Sequence, residues 1–318
     1  MALRIVMMGT GTFALPTFQK LIESDHDVVG LVTQPDRTGR GHHHHVNEMK
    51  EAALEAGVDV FQPEKVNTSE ALQRLREFQA DIFVVAAYGQ ILSKELLEIP
   101  RLGAINLHGS LLPKYRGAAP VQFAVLNGEK ESGVTIFQIE PKLDAGEILG
   151  MVTTEIGPKE TSGQLHDRLA ELSAPLTLDM LQQLEAGTET RQLQDASLVT
   201  RAPKITKQAG LIDWSKPTKE IPWHIYGMQP WPMPFTFLHL PEKKPQRLLI
   251  LDIDPAGDGG NGLAPGDCVV RDCQFLVRTG DGFVRVNTLQ PAGKRAMSAE
   301  DFLRGTHVDG AKLAADNY

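Results

Sequence analysis

Strand-like and helix-like hydrophobic patterns alternate through the first 187 residues of the chain. Short apolar runs predict strands at Leu3–Met8, Val28–Thr33, Asp81–Ala86, Ala104–Leu107, Val134–Ile139 and Ile148–Ile156. Apolar residues at helical spacing predict helices at Phe13–Glu23, Glu48–Ala56, Ser69–Phe78, Lys94–Glu98 and Thr161–Glu185. This alternation is typical of an α/β fold with a doubly wound, mainly parallel sheet covered by helices.

The pattern changes after residue 187. Residues 188–205 show no clear period and are interpreted as a linker. Residues 206–318 are rich in proline, glycine and short β-like runs, with strands predicted at Arg247–Ile253, Asp267–Val270, Phe275–Arg278 and Phe283–Leu289 and helices at Lys219–Tyr226 and Ser298–Arg304. Because 318 residues exceed the usual size of a single core, we expect two domains, 1–187 and a β-barrel at 206–318.

Composition narrows the class of protein. The chain is 42% hydrophobic and 23% charged, which indicates a folded, soluble protein rather than a disordered one. No apolar run approaches the roughly 18 residues that a membrane-spanning helix needs. The first strand begins without a targeting signal, so we expect a cytoplasmic protein. The two cysteines, Cys268 and Cys273, match neither a redox nor a zinc motif and are interpreted as reduced packing residues.

The turn after the first strand suggests one function that we weigh and set aside. The segment GTGTFA, Gly9 to Ala14, fits a dinucleotide-binding fingerprint, and Asp36 follows at the distance of a ribose-binding acid. This reading predicts a nicotinamide-dependent dehydrogenase. However, any strand-to-helix turn favours glycine, Thr12 would serve equally well as a helix cap, and Asp36 lies beyond its strand.

The segment INLHGSLLPKYRGAAP carries the strongest signal of chemistry. Asn106 and His108 lie two residues apart on a strand and therefore share one side, at the carboxyl end where open α/β sheets bind ligands. An amide suits a developing oxyanion, and an imidazole moves protons near neutral pH. Asp144, in a turn between two strands, is the best carboxylate partner, and it would favour a protonated ring. Weaker candidates are Asp81, Glu140 and Glu147.

The spacing alone also allows a purely structural interpretation of Asn106, His108 and Asp144. Asn106 and His108 would then be strand-end residues satisfied by loop backbone, and Asp144 a simple turn former.

The two segments INLHGSLLPKYRGAAP and GVTIFQIEPKLDAGEIL resemble the family of formyltransferases that use 10-formyltetrahydrofolate. Its signature is Asn-x-His-x-Ser-Leu-Leu-Pro with a downstream Asp-x-Gly. In the second half, IDW, PWPMPFTF and LQPAGKRAMSAEDFL are similar to the C-terminal domain of the members that formylate the methionine carried by initiator tRNA. The resemblance implies a Rossmann-like formyltransferase domain followed by an OB-like β-barrel that binds tRNA.

The resemblance also implies roles for particular residues. The catalytic trio falls on Asn106, His108 and Asp144, which would stabilise a tetrahedral intermediate while Asp144 orients the ring. The pocket for the folate co-substrate falls on the loop after the predicted strand Asp81–Ala86, the segment after His108 and the turn before Asp144, namely Tyr88, Gly89, Gln90, Ile91, Leu92, Ser110, Leu111, Leu112, Pro113 and Leu143. Ile91 and Leu92 would pack against the pterin ring.

The chain has a net charge of −8 and no basic domain. We therefore expect contacts to tRNA to come from local basic patches. In the family, the loop at residues 34–50 meets the acceptor end of the tRNA and is rich in lysine and arginine. Here it holds Arg37, Arg40 and a histidine run, His42, His43, His44 and His45. We interpret the run first as RNA contact, with a solvated loop or a metal site as alternatives. Further candidates for RNA contact are Lys114, Arg116, Lys294 and Arg295.

The sequence therefore predicts an enzyme, a monomer without a metal, that transfers a formyl group from 10-formyltetrahydrofolate to methionyl-initiator tRNA. The alternative within the same chemistry is formylation of an amino sugar nucleotide. A dehydrogenase is the alternative from a different class.

Overall fold

The computed structural model describes residues 2–36, 47–257 and 262–316. It divides into two compact units. The first comprises 1–120, 131–155 and 166–203, and the second comprises 121–130, 156–165 and 204–318. Within the described residues, no helix is both long enough and apolar enough to cross a membrane.

Eight α-helices and sixteen strands are formed by the described residues. The helices are α1 (Leu15–Ile22), α2 (Glu48–Glu55), α3 (Ser69–Glu77), α4 (Lys94–Leu97), α5 (Pro120–Leu126), α6 (Ser162–Ala186), α7 (Glu220–Gly227) and α8 (Ala299–Gly305). The strands of the first unit are β1 (Arg4–Gly9), β2 (Asp27–Val32), β3 (Val60–Phe61), β4 (Ile82–Ala86), β5 (Ala104–His108), β6 (Arg116–Gly117), β7 (Glu131–Gln138), β8 (Ile148–Glu155) and β9 (Arg201–Ala202). Those of the second unit are β10 (Phe235–His239), β11 (Gln246–Pro255), β12 (Cys268–Arg271), β13 (Gln274–Arg278), β14 (Phe283–Pro291), β15 (Met297–Ser298) and β16 (Lys312–Ala314).

The first unit is built on a sheet with the strand order β3-β2-β1-β4-β5-β7-β8. The five strands from β3 to β5 run parallel, and β7 and β8 are antiparallel to their neighbours. The central strands β1, β4 and β5 are buried along most of their length, as expected of a sheet that helices cover on both faces. This mainly parallel sheet confirms the predicted α/β fold class.

Most helix starts in the first unit follow local capping chemistry. The side chains of Asn47, Thr68 and Ser93 accept the backbone N–H three residues on, at the starts of α2, α3 and α4. At the start of α6, in the residues 156–165 that belong to the second unit, Thr161 accepts the backbone N–H of Gln164 in the same way. Because these caps satisfy N–H groups that have no partner inside the helix, they fix where each helix begins.

The second unit contains an antiparallel sheet with the order β12-β13-β14-β11-β10-β16, and β15 pairs with β14. Its two edges meet, because Asp267 bridges Lys312 and the Cys268 amide donates to the carbonyl of Ala311 at 2.9 Å. Closure of this kind removes free strand edges. The predicted C-terminal β-barrel is therefore confirmed.

Of residues 188–205, which the sequence assigns to a linker, 188–203 are part of the first unit and 204–205 of the second. β9 pairs in parallel with β6. Gln192 forms two backbone hydrogen bonds with Ile148 at the start of β8. This segment therefore packs along the edge of the first unit, while the domain limits 1–187 and 206–318 remain a prediction.

Candidate active site

The end of β5 presents a half-buried Asn106 and a buried His108. Ile105 and Leu107 alternate with them and are almost fully buried, which fixes the register of the strand. Asn106 lies beside Val85 of β4 and Phe137 of β7. Within the described residues, the side-chain amide of Asn106 forms no hydrogen bond. Its donors are therefore available to a substrate oxygen.

The imidazole of His108 is oriented by a backbone carbonyl. Its Nε2 atom lies 2.9 Å from the carbonyl oxygen of Tyr115, and its edge contacts the Phe137 ring at a centroid distance of 6.3 Å. A carbonyl oxygen only accepts, so Nε2 carries the proton. In the neutral ring, Nδ1 is consequently left with a lone pair.

Asp144 faces that second nitrogen. Its Oδ2 atom lies 4.0 Å from Nδ1 of His108 and accepts the backbone N–H of Gly117 at 2.8 Å. A separation of 4.0 Å is too long for a hydrogen bond but short enough for a strong charge interaction in a buried site. The structure thus brings the predicted trio together, although Tyr115 rather than Asp144 makes the contact that orients the ring.

Burial lowers the pKa of the His108 imidazole below its usual value of 6.5, and the positive charge of Arg116 lowers it further. The Asp144 carboxylate and the hydrogen bond to Tyr115 oppose this shift. Desolvation is the larger effect because the ring is buried away from water. The Asp144 charge therefore acts in the predicted direction, towards the protonated ring, but burial outweighs it, and the neutral ring is favoured at pH 7.

The segment after His108 is held by buried hydrogen bonds. Ser110 is fully buried, and its hydroxyl donates to the Lys114 carbonyl at 2.7 Å. Thr135 of β7 donates to the Ser110 carbonyl and accepts from the Leu112 amide. Of the remaining candidates here, Leu112 is buried, while Leu111 and Pro113 are half-buried. The Ser-Leu-Leu-Pro run therefore forms a fixed wall beside the end of β5.

The loop after β4 contains the other predicted folate residues. Tyr88 and Leu92 are buried in the core of the first unit, whereas Ile91 is 84% exposed. Gly89 has φ +83°, and Gln90 accepts the Val66 amide through its side chain. Leu92 thus packs into the core, and Ile91 is the apolar side chain on the outside of this loop.

Two large apolar side chains are exposed on loops that leave the sheet beside the trio, Ile91 after β4 and Leu143 after β7. Leu143, which precedes Asp144, is 61% exposed. Exposed apolar groups of this kind suit the faces of a flat heterocycle, so these residues fit a pterin ring.

The sequence misses three groups that complete this site. Tyr115, with φ +63°, aims its carbonyl at His108. Gln194 binds the Asp144 turn, and Gly117 supplies the N–H that holds the Asp144 carboxylate. Backbone direction has no sequence signature, and Gln194 lies in a segment without a period, so no sequence pattern identifies these groups.

The predicted RNA residues are spread over both units. Arg37, Arg40 and His42 to His45 lie outside the described residues. Lys114 is exposed, and Arg116 is half-buried with its guanidinium donating to Gln194. Lys294 and Arg295 are exposed in the turn between β14 and β15 of the second unit.

The dehydrogenase hypothesis depends on the turn Gly9–Ala14 and on Asp36. Helix α1 begins at Leu15, and its N-cap position is Ala14 with no side-chain capping hydrogen bond, so the proposed cap at Thr12 is wrong. Asp36 pairs with Lys50 and accepts a hydrogen bond from Gln62. These two contacts occupy the carboxylate that would bind a ribose.

Other charged groups have structural partners. The Asp81 carboxylate accepts the backbone N–H of Arg4 and pairs with the Arg101 guanidinium, and Glu147 lies 3.6 Å from Arg191. Glu140 is exposed. In the part of the chain that the structure describes, no group of three or more His, Cys, Asp or Glu side chains is arranged to hold a metal ion.

Two family models match the chain. The Formyl transferase model matches residues 3–181, and the model of the Formyl transferase C-terminal domain matches residues 204–307. The sheet with its Asn-His-Asp trio and the closed barrel thus define the class, a two-part formyl transferase. The Methionyl-tRNA formyltransferase of Ruminiclostridium cellulolyticum is 40% identical over 314 residues, which is 98% of this chain and 99% of that protein. The chain belongs to the methionyl-tRNA formyltransferase family.

Solved structures agree on the fold. WlaRD, a sugar 3N-formyl transferase crystallised with dTDP and 5-N-formyl-THF, superposes with a TM-score of 0.66 at 18% identity over 93% of this chain and 100% of that one. HypX from Aquifex aeolicus in complex with tetrahydrofolic acid gives a TM-score of 0.60 at 15% identity over 95% of this chain. The match covers 47% of HypX, so the chain spans about half its length. The resemblance inferred from the sequence is confirmed.

Proposed function

We propose that this protein transfers a formyl group from 10-formyltetrahydrofolate to the α-amine of methionine esterified to initiator tRNA. The observation that carries the proposal is the 40% identity that runs through both units to a protein named Methionyl-tRNA formyltransferase. The likeness to a sugar formyltransferase, at 18% identity, concerns the fold alone.

The folate supplies an activated formyl carbon attached to its N10 atom. The neutral amine attacks this carbon, and negative charge develops on the formyl oxygen. The Asn106 amide, which has no other partner among the described residues, donates to that oxygen. Loss of one such donor raises the barrier by about 2.7–4 kcal/mol.

His108 acts as the base in this proposal. With Nε2–H held by Tyr115, its neutral Nδ1 takes the proton that the attacking amine loses. The imidazolium that forms is stabilised by the Asp144 carboxylate 4.0 Å away. The same proton then passes to N10 as the bond between N10 and the formyl carbon breaks, which returns His108 to its neutral state.

Recognition of the tRNA is assigned to exposed cations. Lys114 is exposed six residues beyond His108, and Lys294 and Arg295 are exposed on the second unit. Arg37, Arg40 and the histidine run His42–His45 complete the proposed set, with imidazoles that stack on bases and donate to them. Arg116 is the weaker candidate because its guanidinium binds Gln194.

We further propose that the protein acts as a monomer in the cytoplasm. Asn106, His108 and Asp144 all come from one chain, so the trio needs no second copy. Charged initiator tRNA is a cytoplasmic substrate, which supports the location.

A transfer assay tests the function. The purified protein is given formyl-labelled 10-formyltetrahydrofolate with methionyl-initiator tRNA, methionyl-elongator tRNA or an amino sugar nucleotide in parallel. We expect label on the methionine of the initiator tRNA. Label on the sugar nucleotide alone would replace the proposal by the alternative chemistry, and oxidation of NADH with no transfer would replace it by a dehydrogenase.

A further inference from the structure

Residues 188–203 touch both loops that surround His108. One loop contains Tyr115, whose carbonyl orients the imidazole, and the other contains Asp144, whose carboxylate faces it. The contacts come from two side chains, Gln194 and Thr200, and from the short strand β9.

Gln194 links the two loops through both ends of its amide. Its Nε2 atom donates to the carbonyl oxygens of Asp144 at 2.9 Å and Gly146 at 2.8 Å. Its Oε1 atom accepts from the Arg116 guanidinium, at 3.1 Å from Nε and 2.7 Å from the terminal nitrogen. The half-buried amide thus bridges the Asp144 turn and the strand that follows Tyr115.

Thr200 and β9 hold the Tyr115 loop from the same side. The Thr200 hydroxyl accepts the Tyr115 amide at 2.8 Å, and its carbonyl accepts the Arg116 amide at 3.0 Å. The Ala202 carbonyl accepts the amides of Ala118 and Ala119. The backbone of this loop is therefore fixed by the segment that follows α6.

Both loops need such support because of their backbone conformation. Tyr115 has φ +63° and Asp144 has φ +47°, the left-handed region that residues with a side chain rarely adopt. Residues of this kind persist where surrounding contacts hold them. Gln194 is bonded to the Asp144 carbonyl itself, and Thr200 to the Tyr115 amide itself.

We propose that Gln194 is a positioning residue for formyl transfer, which holds the Asp144 turn and the Arg116 strand in register around the His108 imidazole. This inference rests on the proposed function, because it assumes that the trio performs the transfer. Gln194 acts through Asp144 and the Tyr115 loop and does not itself meet the substrate. We therefore expect its loss to lower kcat most, with a smaller effect on folate binding because Leu143 lies in the same turn.

The test compares Gln194→Ala with Gln192→Ala in the transfer assay. Gln192 is a matched control, since it lies in the same segment, is exposed, and uses only its backbone to bind Ile148. A loosened catalytic group costs about 10- to 100-fold in rate, so we expect that loss of kcat in Gln194→Ala, with a smaller rise in the KM for the folate and a KM for the tRNA within about twofold. Gln192→Ala should match the wild type. A Gln194→Ala enzyme with wild-type kcat overturns the inference.

A double-mutant cycle separates positioning from a general structural effect. If Gln194 acts through Asp144, adding Gln194→Ala to Asp144→Ala should lower kcat by less than about twofold more. The same fold loss in both backgrounds overturns the inference, because a role in folding does not depend on Asp144. The cycle is read at a temperature where all four proteins are folded by circular dichroism, with Gln194→Met as a second variant of similar size.

Gln194→Glu separates the hydrogen bonds that Gln194 accepts from Arg116 from those that it donates to Asp144 and Gly146. A carboxylate still accepts from Arg116 but cannot donate to the carbonyls of Asp144 and Gly146. We expect a loss of kcat close to that of Gln194→Ala, and full activity would overturn the role assigned to the Asp144 turn. Absence of transfer in the wild-type enzyme would instead contradict the proposed function, which distinguishes the two failures.

Discussion

The Nε2 atom of His108 lies 2.9 Å from the carbonyl oxygen of Tyr115. This contact decides the tautomer of the ring, because a carbonyl accepts a hydrogen bond and cannot donate one. It leaves Nδ1, the nitrogen that faces Asp144, to exchange the proton of the reaction. The chemistry of the site thus depends on a backbone group seven residues further along the chain.

The titration of His108 follows from its burial. Burial lowers the pKa of the imidazole below 6.5, and a base must be neutral, so the midpoint of the fall in activity towards acid pH should lie below 6.5. Asp144→Asn removes a charge that raises this pKa, so the midpoint of the ring should move to still lower pH. An NMR titration measures both midpoints, with His108→Gln identifying the resonance. A midpoint above 6.5, or an upward move in Asp144→Asn, would contradict a neutral base.

Replacing Asn106 by Ala should remove the donor for the formyl oxygen. Loss of a comparable donor lowers kcat by about 10²- to 10³-fold, and because the contact forms mainly in the transition state, the KM for the folate should change little. Steady-state transfer kinetics measure both constants. Thermal unfolding provides the control, since the half-buried amide makes no internal hydrogen bond within the described residues and its loss should leave the melting temperature nearly unchanged. A kcat within about fivefold of the wild type would argue that Asn106 has no catalytic role, since loss of one such donor lowers kcat far more.

Much of the sheet was predictable because its strands are buried on both faces and read as apolar runs. β1, β2, β4, β5, β7 and β8 lie where the pattern predicts them, within a few residues. β3, at Val60–Phe61, was not predictable, because a two-residue strand has no period and exists only through its pairing with β2. The same reason applies to β6 and β9, which pair across 85 residues of sequence.

The candidate site was predictable in its side chains but not in its supports. The Asn-x-His spacing places Asn106 and His108 on one strand end, and a turn between two strands of the same sheet brings Asp144 close. The protonation state was not predictable, since it depends on how deeply the ring is buried. The role of Gln194 was also not predictable, because its contacts arise from tertiary packing of a segment without any hydrophobic pattern.

Gly117 should tolerate no side chain. Its φ is +127°, and an added Cβ would lie 2.5 Å from the carbonyl oxygen of Ala202. Gly117→Ala should therefore lower the free energy of unfolding by about 1–3 kcal/mol. It should also lower kcat, because the Gly117 amide holds the Asp144 carboxylate. Chemical denaturation and transfer kinetics measure the two effects.

Gly187→Ala is the control for conformation alone. Gly187 also has a positive φ, +67°, but an added Cβ would meet nothing within 4 Å. We expect a smaller loss of stability and an unchanged kcat. Equal effects of the two substitutions on kcat would mean that the close approach of Gly117 to β9 does not matter for the reaction.

The proposed RNA contact on the second unit makes a prediction about salt. Each cation that neutralises a phosphate contributes about 0.7–0.9 to the slope of log affinity against log salt concentration. If Lys294 and Arg295 both contact phosphates, replacing both by Ala should reduce that slope by about 1.5 and weaken binding more at low salt. Lys243 and Lys244, exposed together in the turn between β10 and β11, are the matched pair. Filter binding of initiator tRNA across a salt series measures the slopes. If the two double variants change the slope alike, the effect is one of general charge, and the turn between β14 and β15 is not a contact site.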